Sequence, residues 1–461
     1  MRIKSLCLLF VLGIVLALPG AGHTETFYAY LSGAQEVPAV ATSATGYARV
    51  FINETTGQLN FTVVFNNLSS NQIASHIHAP APLGATVGVA INFGAVGGTS
   101  GTISGSTTVT PTQLAQIRQH LGYVNVHSAN FTGGEIRGQL GIKRPVDFDG
   151  DGRQDMSILR FPDVAPPGVS QITYWNLNTT QGVGIAEWGN ANTDFPTPGD
   201  YDGDGKDDFA IYRTGPNVGS QNEYWIIKSS TNTVQYYAWG LSGDTSVARD
   251  YDGDGITDVA VVRNGASPTA QKTWFILNSS TGTFRWENFG LTGNSVAGTG
   301  DAPIPGDYDG DGKFDLAVYR FGTGMFPQNS FIIKRSSDST VAYQPFGNFT
   351  TDYILPGDYD GDGKYDLAVG RTGATSTSPL VWWIVQSSTG TVRVQQFGRT
   401  SDLPVQGDYD GDARADIAIY RPGATDTAQS FYWVSRSFDG TASVTPWGLG
   451  ADFSVNTFDI R

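Results

Sequence analysis

The chain has 461 residues, 43 acidic against 28 basic side chains, a formal net charge of −15, only 15% charged residues, 58 glycines and 12% aromatics. Ten Trp, 20 Tyr and 25 Phe exclude a disordered chain, and abundant Gly with little charge argues against a helical bundle. The acidic excess, with no basic stripe anywhere, excludes nucleic acid as a partner.

The N-terminus reads as an export signal over residues 1–24. Arg2 and Lys4 precede the apolar run Leu6 to Leu18, and the small residues Gly20-Ala21-Gly22 follow. Thirteen residues fall short of the roughly 20 needed to span a bilayer, and no second apolar span follows, so no transmembrane segment is expected. The expected location is secreted or extracellular, or the periplasm or cell surface in a bacterium. The one cysteine, Cys7, lies inside this segment, so disulfides cannot hold the exported protein together.

Residues 25–142 read as a first β domain. Strand signals run Thr26 to Ser32, Gly46 to Asn53 and Gln58 to Asn66. One short helix interrupts them: Thr110 is its N-cap, Pro111 its first residue and Gln113 the partner in a capping box, with Leu114, Ile117 and Leu121 on one face before Gly122. In the later strands His76 and His78 point opposite to Ile77, and Asn125 and His127 opposite to Val124 and Val126. Two readings of this polar face stand open. His76, His78, His127 and Glu135 form a site for zinc or copper, since His-x-His on a strand projects both imidazoles to one side. Alternatively, a Glu135-Arg137-Asn125 network and hydrogen-bonded histidines need no ion. The segment Leu31-Ser32-Gly33-Ala34-Gln35-Glu36-Val37-Pro38, with His76-Ile77-His78, Tyr123-Val124-Asn125-Val126-His127 and Gly134-Glu135-Ile136-Arg137-Gly138-Gln139, resembles the chordin-type CHRD domain. The resemblance implies an immunoglobulin-like β-barrel or sandwich and extracellular binding.

Residues 143–461 are dominated by a repeat of 50 to 57 residues, each copy opened by a D-x-D-G-D-x-x-x-D loop. The aspartates are Asp147, Asp149, Asp151 and Asp155; Asp200, Asp202, Asp204 and Asp208; Asp250, Asp252, Asp254 and Asp258; Asp307, Asp309, Asp311 and Asp315; Asp358, Asp360, Asp362 and Asp366; and Asp408, Asp410, Asp412 and Asp416. Thirteen residues after each opening aspartate stands Arg160, Arg213, Arg263, Arg320, Arg371 or Arg421, expected to make ion pairs or carbonyl contacts between blades. An aromatic-Gly pair recurs further on, from Trp188-Gly189 to Trp447-Gly448. In the second copy strands are predicted at Thr197 to Asp200, Phe209 to Tyr212, Glu223 to Lys228 and Thr233 to Trp239, four to a propeller blade. Third-strand tryptophans such as Trp225 and Trp274 are expected to pack between blades.

Loop positions 1, 3, 5 and 9 bring four carboxylates together, a hard oxygen set that suits calcium better than the stricter octahedron of magnesium. Position 6 is Gly152, Gly205, Gly255, Gly312 and Gly363 but Ala413 in the last copy, which predicts the weakest loop there. Position 12 is apolar in every copy, so the loop joins two strands and no EF-hand is present. The repeats resemble the FG-GAP (VCBS-type) family, which implies an integrin-like calcium-binding β-propeller with about six Ca2+ per chain. Six blades are expected, a seventh degenerate blade being the alternative, and the tail Ser454 to Ile460 resembles a first strand that closes the ring. Loss of Arg2 and Lys4 takes the charge to −17, and six calcium ions bring it to about −5, so the fold should depend on calcium. The expectation is an all-β, non-catalytic, calcium-stabilised binding or adhesion protein for an extracellular protein or glycan. The alternatives are a calcium-dependent lectin and a metalloenzyme using His76, His78 and His127.

Overall fold

The computed structural model describes residues 24–53, 55–141, 146–161, 170–293, 300–322, 328–348 and 352–455. The expected export segment, apart from Thr24, and the expected boundary at residue 142 lie outside these residues. No described helix is long and apolar enough to cross a membrane.

The first unit is one near-closed antiparallel sheet. Its elements are β1 (Thr24–Ser32), β2 (Thr45–Asn53), β3 (Gln58–Asn66), β4 (Gln72–His78), β5 (Val89–Gly94), β6 (Gly101–Thr108), α1 (Pro111–Arg118), β7 (Tyr123–Ser128) and β8 (Ile136–Gln139). They are ordered β5-β4-β7-β8-β1-β2-β3-β6. Period-two alternation puts Val50, Ile52, Leu59, Val63, Ile77, Val124 and Val126 in one interior, each buried side chain contributing about 1.5–3 kcal/mol. The helix starts as its sequence predicts, with both arms of the capping box formed between Thr110 and Gln113. It ends before Leu121, because His120 turns into the left-handed region at φ 52°.

The second unit is a six-bladed propeller of four-stranded antiparallel sheets. Blade one contains β9 (Met156–Arg160), β10 (Gln171–Asn178) and β11 (Gly182–Asn190), and its innermost strand, Phe453–Ser454, comes from the far end of the chain. Phe453 pairs with Leu159 and Ser454 with Ile158, so hydrogen bonds close the ring; this strand shares only Ser454 with the expected Ser454 to Ile460, of which residues 456–460 lie outside the described residues. No seventh sheet occurs among the described residues.

Blade two consists of β12 (Asp194–Pro196), β13 (Phe209–Arg213), β14 (Gln221–Ile227) and β15 (Val234–Leu241). Its first strand lies upstream of the predicted Thr197 to Asp200. Asp194 pairs with Arg213, whereas Pro198 has no N–H to give a ladder and Gly199 only bridges Asp208 at the loop mouth.

The repeated arginines do not join blades. Arg213 grips Asp194 with two bonds of 2.7 Å inside blade two, and Arg263, Arg320, Arg371 and Arg421 repeat this with Asp244, Asp301, Asp352 and Asp402. Arg160 does the same to Asp452, tying blade one to the C-terminal segment that completes it. The third-strand tryptophans divide. Trp274 and Trp382 are buried in cores shared by two blades; Trp175, Trp383 and Trp433 pack against such cores and, with Trp225, also lie under Arg160, Arg371, Arg421 and Arg213. Fourth-strand tryptophans link blades directly: the indole N–H of Trp188 donates to Trp225 O at 3.1 Å, and that of Trp447 to Trp175 O at 3.2 Å.

Candidate metal centres

Each aspartate loop is wound around its own carboxylates. In the second copy Asp200 Oδ1 accepts from Gly203 N (2.7 Å) and Oδ2 from Gly205 N (2.8 Å). Asp204 Oδ1 accepts from Lys206 N, and Asp208 Oδ2 from Tyr201 N. All these patterns recur in all six copies. In the last, Ala413 holds φ 66° and donates to Asp408 Oδ2 at 2.8 Å, so alanine keeps the loop shape at a cost of about 1 kcal/mol.

The polar hairpin after the third strand completes each cluster. Ser229 N donates to Asp208 Oδ1 at 2.7 Å, and Ser230 Oγ to Asp202 Oδ2 at 2.5 Å. By composition Ser229-Ser230-Thr231-Asn232 is only a polar turn between two strands, and nothing in the aspartate spacing singles it out. The signal was a hydroxyl residue 29 positions after the opening aspartate in five copies, Ser229, Ser279, Ser336, Ser387 and Ser437, and 32 positions after it in the first, Thr179.

Carboxylate oxygens of Asp147, Asp149 and Asp155 lie within 4.8 Å of one another, as do those of Asp200, Asp202 and Asp208, of Asp250, Asp252 and Asp254, and of Asp307, Asp309 and Asp311. Burial first, and then neighbouring loop carboxylates, push the carboxyls of Asp208, Asp258, Asp315, Asp366 and Asp416 up to about 7 and that of Asp155 to about 8. Asp149 Oδ1, Asp309 Oδ1 and Asp360 Oδ1 are buried without a hydrogen-bond partner. Oxygen donors only, crowded and partly unpaired, fit a hard cation. Loops one and six differ from the rest: the position-7 side chains Arg153 and Arg414 fork onto Asp151 and Asp412, so position 7 supplies more than its backbone there.

The six loops form a closed ring. Asp207 N donates to Asp147 O, Thr257 N to Asp200 O, Phe314 N to Asp250 O, Tyr365 N to Asp307 O, Ala415 N to Asp358 O, and Gln154 N to Asp408 O, at 2.6–2.9 Å. The N-terminal sheet sits on this ring. Arg153 stacks on Tyr30 at 3.8 Å, Gln35 Nε2 donates to Gly411 O at 2.9 Å, Thr26 Oγ1 to Asp254 O at 3.4 Å, and His120 Nδ1 lies 3.3 Å from Asp358 Oδ2. The position-6 glycines therefore serve for clearance as well as for φ. A Cβ on Gly205 would strike Arg49, on Gly255 Thr26, and on Gly363 the backbone oxygen of Arg118.

The histidines of the sheet converge, and Glu135 does not join them. Cross-strand pairing sets His76 opposite Asn125 and Ala74 opposite His127, so the diagonal brings His127 beside His76, with His76 Nδ1 at 3.1 Å from His127 Nε2. Ring nitrogens of His76, His78 and His127 lie within 4.8 Å of one another. His78 Nδ1 bonds to Val87 O (2.8 Å) and His127 Nδ1 to Thr132 O (3.0 Å). Burial first, with neighbouring imidazoles adding, lowers His76 to about 4, and burial also lowers His78 and His127, so all three are neutral near pH 7. Glu135 is instead consumed as a structural acceptor by Thr42 Oγ1 (2.8 Å), Ser69 N (2.8 Å) and Ser69 Oγ (3.0 Å). The carboxylate facing Asn125 is Glu36, 3.4 Å from Asn125 Nδ2 and pushed up to about 7 by burial, a residue no spacing argument singled out. Arg137 donates to Ala85 O and stacks on Tyr123.

Residues 27–140 match the CHRD domain, residues 250–318 an FG-GAP-like repeat and residues 354–394 an FG-GAP repeat. No curated protein matches the chain. Similar solved structures include AofleA from Arthrobotrys oligospora (11% identity, 68% of this chain and 97% of that one, TM-score 0.41). They also include a mutant of the Synechocystis apocarotenoid oxygenase (9% identity, 93% and 91%, TM-score 0.33) and an ACO/RPE65 chimera (11% identity, 86% and 88%, TM-score 0.32). The presence of oxygenases among these matches corrects the expectation of a non-catalytic protein, and at these scores they assign no activity in its place. In sequence order the chain carries a CHRD domain and FG-GAP repeats.

Proposed function

We propose that each aspartate loop holds one calcium ion, that about six ions stabilise the propeller, and that the exported protein binds an extracellular macromolecule. The observation that carries this reading is the closed ring of six carboxylate clusters with buried, unpaired oxygens. Positions 1, 3, 5 and 9 of each loop would hold the ion, and the serine-rich hairpin would orient positions 3 and 9. The ion supplies the positive charge that offsets four crowded carboxylates; the chain supplies a preformed oxygen cage. Elemental analysis of protein dialysed against millimolar calcium should count five or six ions per chain, and a count near zero would overturn the assignment.

A glycan partner is the second reading. Tyr236, Trp286 and Tyr343, on the outermost strands of successive blades, are 45%, 61% and 57% exposed, and such rings offer stacking faces to a sugar. Glycan-array binding that disappears on chelation supports it; silence across the array leaves a protein as the partner.

A further inference from the structure

We propose that His76, His78 and His127 form a mononuclear site for a borderline divalent transition-metal ion, zinc or copper, with one coordination position open. The argument starts from tautomers. A carbonyl oxygen only accepts, so the bonds to Val87 O and Thr132 O require a proton on Nδ1 of both His78 and His127. Each Nε2 is thereby fixed as a lone pair, the outer-shell arrangement that orients metal-bound imidazoles.

His78 Nε2 is buried and has no hydrogen-bond partner, although its residue is only 8% exposed. A buried acceptor left unpaired costs about 1–3 kcal/mol, which a bound cation would remove. His127 Nε2 faces His76 Nδ1 at 3.1 Å, close to the separation of about 3.3 Å that two nitrogens take on one tetrahedral ion at 2.0–2.1 Å. His76, the half-buried member, completes the set by giving its Nδ1 lone pair in place of an N–H. Rotations that draw the three nitrogens in from their 4.8 Å envelope suffice.

Three neutral nitrogens and no sulfur select zinc or copper over calcium, and a three-ligand set leaves the fourth position for water or an incoming ligand. With Glu135 bound to Ser69 and Thr42, no protein carboxylate from that segment fills it. The site is independent of the aspartate loops, which offer oxygen alone.

The test is titration of the full-length protein with Zn2+ and with Cu2+ in millimolar calcium, followed by electron paramagnetic resonance of the copper form. One equivalent of either ion should bind, and the copper spectrum should show coupling to three nitrogens. His78→Ala should abolish uptake. His76→Ala, at the half-buried position and hence the gentler change to the fold, should weaken it at least ~10-fold with the melting temperature retained. Absence of a stoichiometric equivalent, uptake unchanged in a folded His76→Ala protein, or a copper spectrum without nitrogen coupling would each overturn the site. Calcium counts in the same samples separate this outcome from failure of the loop assignment.

Discussion

At the scale of single residues, the repeated arginine shows how one side chain serves two contacts. Arg213 presents Nε and Nη2 to the two oxygens of Asp194 while its plane covers Trp225; Arg160, Arg371 and Arg421 repeat the triple, Arg263 has Phe275 as its ring, and Arg320 keeps the aspartate alone. A lysine keeps the charge but loses the fork and the flat face. Arg213→Lys should therefore destabilise the propeller by about 1 kcal/mol, below the ~1.5–3 kcal/mol of a charged hydrogen bond because the guanidinium is partly solvated. The shift in the midpoint of urea unfolding reads this directly; a change under ~0.3 kcal/mol would mean that charge alone matters there. Sequence spacing located the arginine in every copy but misplaced its partner. The period marks that a residue recurs, whereas the aspartate it grips lies upstream of the loop, at the start of a first strand only two or three residues long or one residue before it.

Among elements, the loops were the most legible because their chemistry and their periodicity coincide. Four carboxylates at fixed spacing leave few alternatives, and an apolar position 12 excludes the bidentate Glu of an EF-hand. The alternating faces of β4 and β7 were equally readable, since buried Ile77, Val124 and Val126 fix which way the histidines point. Convergence was not readable: Glu135 and Glu36 are both acidic neighbours in the motif, and only the fold shows that hydroxyls claim one while Asn125 meets the other. The position-9 carboxyls of the loops carry a pH signature. Their acids are raised from the usual carboxylate range to about 7 or 8, so without a cation they favour the folded state below about pH 4, and that contribution disappears as pH rises through 7 to 8. The neutral histidines act in the opposite sense below about pH 6.5, so the informative quantity is the difference made by calcium. In chelator, Tm should fall by at least ~5 °C between pH 6.5 and 8.5, and saturating calcium should remove that fall. Equal slopes with and without calcium would show that the loops titrate as isolated surface carboxylates.

The whole molecule is organised around one plane, where six loops are laced into a ring and covered by the N-terminal sheet. Nothing in the sequence announced that cover, because the residues that make it, Thr26, Tyr30, Gln35, Arg49 and His120, are scattered through a separate motif. The glycines of position 6 record it indirectly. Five were read as conformational, yet Gly363 also lies against the backbone oxygen of Arg118, an atom that cannot swing aside as a side chain can. Where the loop carries Ala413, the sheet supplies Gly141 opposite, so the two surfaces have exchanged a methyl group between them. Gly363→Ala should therefore strain both the positive-φ turn and the seat of the sheet, whereas Ala413→Gly relieves the turn and removes only one methyl contact. Calorimetry in calcium should show the wild type melting as one transition, because ring and sheet share these contacts. Gly363→Ala should split it, with the sheet melting apart from the propeller, while Ala413→Gly stays within ~2 °C of wild type. A single transition in Gly363→Ala, lowered no more than by any other alanine at positive φ, would mean that the sheet rests on the ring without being held by it.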